Sequence, residues 1–239
     1  MVKTAVIMAA GMGTRFGNMT ETRPKGFIKA GDMSMIERSI ATLHACGIRR
    51  IVIGTGYHRE WFEELAQRTE GIECVFSPRY AETNSMFTLY WLRETIGADD
   101  FLLLESDLVF ERQVIIALME CPKPDVMLIT PVTKFQDQYY VEADTQHVLR
   151  NCSTDADALN YEGELVGIHK LSNSFYQQMC DDYAQKVEEQ PKLGYEYQLL
   201  HMSQNGCPVH VLCVPGLKWY EIDDAADLAY AEEHVVPFL

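Results

Sequence analysis

An apolar run, Ala5-Val6-Ile7-Met8-Ala9-Ala10, ends in Gly11-Met12-Gly13-Thr14-Arg15, and Arg23-Pro24-Lys25 follows. Small residues and glycines leave little side chain at the end of such a strand. Backbone N–H groups there can face a ligand, and a phosphate or nucleobase can approach closely. Arg15 and Lys25 add fixed positive charge suited to a polyphosphate. Lys25 reads as an exposed loop lysine with little packing of its own. The same spacing also fits an ordinary strand-to-loop turn, because the third glycine of a dinucleotide fingerprint and the Gly-Lys-Ser/Thr of a P-loop are both missing.

A second apolar run, Phe101-Leu102-Leu103-Leu104, delivers Glu105-Ser106-Asp107. A carboxylate at the end of a buried strand is poorly solvated and needs a partner. Beside phosphates that partner is a divalent cation such as Mg²⁺; the alternative is a helix N-cap. Glu221-Ile222-Asp223-Asp224 precedes a helical stretch, and Asp224 before Ala225 reads as its cap. Tyr80 to Leu89 runs from a loop into a helix that Asn84 or Ser85 could cap. Glycines in Tyr161-Glu162-Gly163-Glu164-Leu165-Val166-Gly167-Ile168 suggest close backbone approach. Glu162 or Glu164 either faces a second ligand or is a solvated acid beside a turn. Asp137, Tyr139, Tyr140, Tyr195, Glu196 and Tyr197 mix aromatic and acidic groups. That mixture suits a cationic ligand and also ordinary packing.

Alternating elements must position these residues. Strand patterns cover 4–10, 50–54, 73–77, 101–105 and 126–131; helical patterns cover 35–46, 60–68, 86–94 and 112–119. The alternation predicts a doubly wound α/β fold, a mainly parallel sheet with helices on both faces. Ligands of such sheets sit at the carboxyl ends of the strands, which places the site in loops 11–33, 55–59, 78–85 and 105–110. After residue 131 the pattern is more mixed. Strands are expected over 138–142, 147–149, 165–170, 209–214 and 219–222, with helices over 173–188, 195–203 and 225–234. One domain over 1–239 is expected, with 1–131 as the ligand-binding core and 132–239 as a closing elaboration for a second substrate.

The chain has 239 residues, 47% of them hydrophobic, and a net charge of −15. The acidic balance argues against nucleic acid and anionic membranes as partners. Residues 1–31 run the other way, with Lys3, Arg15, Arg23, Lys25 and Lys29 against Glu21 alone. That positive island fits an anion held locally. Seven cysteines without a Cys-x-x-Cys pair read as reduced thiols of a cytoplasmic protein. No targeting segment and no membrane span is expected.

The opening stretch resembles the signature of the sugar-nucleotide pyrophosphorylase-like nucleotidyltransferase superfamily: an apolar strand, Ala-Ala-Gly-x-Gly-x-Arg, then Pro-Lys. Gly54-Thr55-Gly56-Tyr57-His58, Arg23-Pro24-Lys25-Gly26-Phe27, the 80–89 stretch and Tyr220-Glu221-Ile222-Asp223 resemble its small cytidylyltransferase branch. That branch includes the 2-aminoethylphosphonate and bacterial choline-phosphate cytidylyltransferases. The resemblance implies a Rossmann-like nucleotidyltransferase fold and a reaction of CTP and Mg²⁺ with a small aminoalkyl phosphonate or phosphate. The acceptor implied is 2-aminoethylphosphonate, serving phosphonate tailoring of cell-surface glycans or lipids. Phosphocholine is the alternative; a sugar 1-phosphate, or nucleotide binding without chemistry, stands further off. A homodimer is left open.

The resemblance also implies roles. Ala9, Ala10, Gly11, Met12, Gly13, Thr14, Arg15, Lys25, Thr83, Asn84, Ser85 and Ser106 would hold the nucleotide, with Lys25, Arg15 and Asp107 serving the chemistry. Thr83, Asn84 and Ser85 offer groups for the edge of a pyrimidine, in competition with capping. Asp107 and Asp223 would hold the metal. Tyr139, Glu162, Glu164, Tyr195 and Glu196 are the acceptor candidates. Gly31-Asp32-Met33-Ser34-Met35-Ile36 departs from the family's Gly-Lys-Pro-Leu-Ile, so no role falls there.

Overall fold

The computed structural model describes residues 2–134 and 138–239; Asp137, an acceptor candidate, lies outside them. Strand β1 (Thr4–Ala9) is followed by a short hairpin, β2 (Lys29–Ala30) and β3 (Met33–Ser34), and by helix α1 (Met35–Ala45). Then come β4 (Arg50–Thr55), α2 (Glu60–Arg68), β5 (Ile72–Phe76), α3 (Ser85–Trp91), α4 (Arg93–Ile96), β6 (Phe101–Glu105), β7 (Leu108–Phe110), α5 (Arg112–Glu120) and β8 (Val126–Thr130). The chain continues through β9 (Tyr140–Ala143), β10 (Leu149–Ser153), β11 (Gly163–Leu171), α6 (Asn173–Ala184), α7 (Tyr195–Gln204), β12 (His210–Cys213), β13 (Trp219–Glu221) and α8 (Ala225–His234).

A nine-stranded sheet organises the fold. β5, β4, β1 and β6 pair in parallel, as the apolar runs predict for strands buried on both faces. Alternation sets which helices each side chain meets. Ala5, Ile7, Ile51, Ile53, Leu102 and Leu104 pack with Ile40 of α1, Phe62 of α2 and Ile115 of α5. Val6, Val52 and Leu103 pack with Leu89 of α3, Tyr176 of α6 and Leu199 of α7. The doubly wound α/β architecture expected from the sequence is the architecture observed.

The second half departs from expectation. β11 does not decorate the sheet; it runs through its middle. One of its edges pairs with β9 and then antiparallel with β6; the other pairs antiparallel with β8. β8, expected beside the early parallel strands, is therefore one strand removed from them, and β12 pairs with it in parallel. Two boundaries also move. The strand expected over 147–149 lies at Leu149–Ser153, because the Asp144 carboxylate accepts from the backbone N–H groups of Gln146 and Val148 and makes that stretch a turn. α6 stops at Ala184 instead of 188.

Two helix starts bear on the site. Ser34 caps α1, and its hydroxyl also meets Glu37 Oε2 at 2.5 Å, a reciprocal cap that gives the divergent 31–36 stretch its role. Asp224 caps α8 through the N–H groups of Ala226 and Asp227, as expected. That leaves its neighbour Asp223 to point elsewhere.

Candidate active site

A cavity of about 430 Å³ opens at the carboxyl ends of β1 and β6. Its upper wall is the glycine loop. Gly13 sits at φ +61°, and a Cβ there would lie 2.9 Å from the Lys25 Cβ. Only glycine fits both the backbone and the lysine beneath it. A Cβ at Gly11 would instead meet open space, so that stretch of backbone is bared toward the cavity.

Tertiary pairing assembles the charged floor. β7 and β13 run antiparallel, with Leu108 opposite Glu221, and the Ile222 N–H donates to the Asp107 carbonyl at 3.0 Å. This register sets Asp107 beside Asp223. Lys25 reaches between them: its Nζ is 2.6 Å from Asp107 Oδ2 and 2.6 Å from Asp223 Oδ1. Arg15 Nη2 lies 2.7 Å from the same Asp223 oxygen. The Lys25 side chain is 11% exposed, so it is a buried ion-pair partner and not the loosely packed loop lysine expected. Burial works against its charge, but Asp107 and Asp223 outweigh burial and hold its pKa above the ordinary lysine value.

Two oxygens of this floor, Asp107 Oδ1 and Asp223 Oδ2, are buried without a hydrogen-bond partner among the described residues. Carboxylate oxygens of Glu105, Asp107 and Glu221 also lie within 4.8 Å of one another. An all-oxygen donor set with orphaned lone pairs fits a hard divalent cation of the Mg²⁺ type. Burial, then the neighbouring Asp107 and Asp223 charges, push Glu221 up to about 8 despite Lys25 and Lys134.

The cavity is also lined by Gln138, Tyr139, Leu165, Tyr195 and Glu196. Burial pushes Glu196 up to about 7, only partly offset by hydrogen bonds from its own backbone and from Glu105. Glu105 is raised well above the ordinary value by burial and by its acidic neighbours Glu221, Asp107 and Glu196. The Tyr195 hydroxyl donates to Glu105 Oε1 at 2.6 Å.

The structure thus brings Ala9, Ala10, Gly11, Gly13, Thr14, Arg15, Lys25, Thr83, Asn84, Ser85, Ser106, Asp107, Asp223, Tyr139, Tyr195 and Glu196 to one cavity. In the 83–85 stretch, structural bonds already engage the side chains. Thr83 donates to the Arg79 carbonyl, Asn84 caps α3 through the Ser85 N–H, and Ser85 Oγ accepts from the Tyr195 N–H.

Five candidates among the described residues do not line the cavity: Met12, Glu162, Glu164, Tyr140, which is buried, and Tyr197, which is exposed. Met12 is exposed beside it. Glu162 is exposed outside it. Glu164 is fully buried, and its carboxylate accepts from the Thr133 N–H, the Thr133 hydroxyl and the Lys134 N–H, so it ties down that segment instead of facing a ligand. Glu105 and Glu221 are lining acids given no role from the sequence. A signal was there: each ends a strand two residues before an assigned aspartate, at the carboxyl end where ligands of such sheets sit.

The sequence profile of the MobA-like NTP transferase domain matches residues 5–182. The CMP-5'-(3-aminopropyl)phosphonate synthase of Streptomyces rubellomurinus is 26% identical over 98% of this chain and 39% of its own length. The choline-phosphate cytidylyltransferase of Streptococcus pneumoniae is 38% identical over 41% of this chain and 45% of its own. The 2-aminoethylphosphonate cytidylyltransferase of Lancefieldella rimae is 35% identical over 44% of this chain and 43% of its own. Each match spans less than half of the relative. The structure of the CTP:phosphocholine cytidylyltransferase from Streptococcus pneumoniae superposes with a TM-score of 0.78 at 22% identity, over 97% of this chain and 99% of that one, and shares the fold.

Proposed function

This chain belongs to the MobA-like NTP transferase family, and from that premise we propose that it is a cytidylyltransferase that joins CMP from CTP to 2-aminoethylphosphonate and releases pyrophosphate. The observation that carries the reading is the division of charge in the cavity. Arg15 and Lys25 stand by the bared glycine loop, and the acids Glu105 and Glu196, with Tyr139 and Tyr195, line the same cavity. A triphosphate fits the first, and an aminoalkyl cation fits the second.

In this reading a phosphonate oxygen attacks the α-phosphorus in line. The new P–O bond forms as the bond to the bridging α–β oxygen breaks, and pyrophosphate leaves with that electron pair. The attacking oxygen is already anionic, so no general base is needed. Lys25 carries three N–H donors. Two meet Asp107 and Asp223, and the third is available to a phosphate oxygen. Arg15 adds charge over the triphosphate. Asp107 and Asp223, with Glu221 beside them, would hold a divalent cation, which when bound supplies charge neutralisation at the phosphates. Catalysis then rests on positioning and on preorganised charge.

Phosphocholine is the second reading, favoured by the Tyr139 ring in the cavity. A primary ammonium donates three hydrogen bonds and is best met by carboxylates; a trimethylammonium donates none and is best met by aromatic faces. The preponderance of acids favours the amine. The test is pyrophosphate release from CTP and Mg²⁺ with 2-aminoethylphosphonate, 3-aminopropylphosphonate, phosphocholine and a sugar 1-phosphate. We expect kcat/KM for 2-aminoethylphosphonate to exceed that for phosphocholine by about tenfold or more, about 1.4 kcal/mol in transition-state binding. Equal or better use of phosphocholine sinks the phosphonate assignment, and turnover of the sugar phosphate alone sinks the branch.

A further inference from the structure

Glu105 ends β6 at the cavity, and the charges that bear on it are Glu221, Asp107 and Glu196, all acidic. Its contacts fix it in place. The Tyr195 hydroxyl donates to Oε1 at 2.6 Å. On the other side, the register shift of β11 puts Gly167, at φ +75°, where an added Cβ would lie 3.2 Å from Oε2. Behind Tyr195 stands His169 of β11, fully buried, with Nε2 3.3 Å from the tyrosine oxygen.

Burial pushes the His169 pKa down to about 3, so the ring is neutral and one nitrogen carries the proton. The Tyr195 proton is committed to Glu105. Its oxygen therefore needs a donor from the histidine, which puts the ring proton on Nε2. The other nitrogen, Nδ1, has no partner among the described residues, as expected of the bare lone pair. The result is a one-way chain from the core to the cavity: imidazole N–H to phenol oxygen, phenol O–H to carboxylate.

We propose that His169 and Tyr195 are positioning residues that hold Glu105 as the receiver of the acceptor's primary ammonium. This rests on the function proposed above. The ring contact supports it: His169 and Tyr195 meet edge to face at 5.3 Å, a favourable aromatic pairing. A fixed acceptor oxygen selects a compact N–H donor over a bulky quaternary cation, because an unmet buried acceptor disfavours any ligand that cannot donate to it.

The test pairs variants with substrates. Tyr195→Phe, Glu105→Gln, His169→Phe and His169→Gln are assayed with 2-aminoethylphosphonate and with ethylphosphonate, which lacks the amine. CTP affinity is measured by calorimetry as the check on folding. Tyr195→Phe and Glu105→Gln should raise KM for the amine by about tenfold or more, with kcat changed less. With ethylphosphonate Tyr195→Phe should cost little, because the ammonium contact is absent, whereas Glu105→Gln also alters the candidate cation donor set and is read only on KM for the amine. His169→Phe should show the pattern of Tyr195→Phe, and His169→Gln, which keeps an N–H, should restore normal KM. Tyr195→Phe deletes a single oxygen, so it decides the matter if the histidine variants fail to fold. Equal losses with and without the amine would falsify the positioning role. If the unaltered protein turns over no aminoalkyl phosphonate, the proposed function fails instead, and the ammonium role with it.

Discussion

Lys25 carries the most consequences of any residue here. Its ammonium sits between Asp107 and Asp223, where the sequence placed a metal ion. In the proposed function, lysine and divalent cation would share the same two carboxylates. Lys25→Ala should lower turnover by about a hundredfold or more, since it removes a preorganised charge at the phosphates. It should also destabilise the fold by about 3 kcal/mol, because two buried acids lose their main counter-charge. Thermal melts with and without Mg²⁺ check this. Mg²⁺ should raise the melting temperature of Lys25→Ala more than that of the unaltered protein, and equal shifts would argue that the cation binds elsewhere. Asp107→Asn and Asp223→Asn should each reduce activity, with the double variant much less than additive because both serve one ion. Strictly multiplicative losses would mean that one of them plays no part in holding it.

At the scale of elements, the glycine loop and the β7–β13 pair do the positioning. The loop must turn at Gly13 with positive φ and pass directly over Lys25. Gly13→Ala forces a left-handed backbone on alanine at about 1 kcal/mol, a fall in melting temperature of roughly 2–4 °C for a chain of this size. Its methyl group would also push Lys25 aside. Turnover should therefore drop by about tenfold or more, well beyond what the stability change accounts for. Normal kinetics in a slightly destabilised variant would show that the loop tolerates a displaced lysine. β7 and β13 matter for another reason. They are three residues each, and their register alone brings Asp107 to Asp223.

For the whole molecule, burial of acids makes stability depend on pH. Glu196 is pushed from 4.5 up to about 7 by burial. The folded protein therefore keeps a proton that the unfolded chain releases above its ordinary pKa. The stabilisation is complete below about 4.5 and is lost as pH rises through about 7. The melting temperature of the ligand-free protein should fall between pH 5 and pH 8, and Glu196→Gln should flatten that fall. A flat profile in the unaltered protein would mean that Glu196 is ordinary. No described helix is long and apolar enough to cross a membrane.

Much of this was legible in the chain itself. The apolar runs of β1 and β6 and the glycines and small residues after β1 depend on local sterics and solvation, which act between near neighbours. So does Asp224 as the cap of α8, which leaves Asp223 for the cavity. Neighbour relations between strands were not legible. Period-2 alternation says that residues change faces, but not which strand lies alongside, and β11 is buried along all nine residues. With both faces buried, nothing in the sequence distinguishes Glu164, turned to Thr133, from an acid turned to a ligand. The same limit hid Glu105, whose role depends on Tyr195 and His169 arriving from α7 and β11. Local chemistry wrote the loop and the caps. Long-range pairing alone decided which acids share the cavity, because contacts between distant segments are chosen by the packing of the whole sheet.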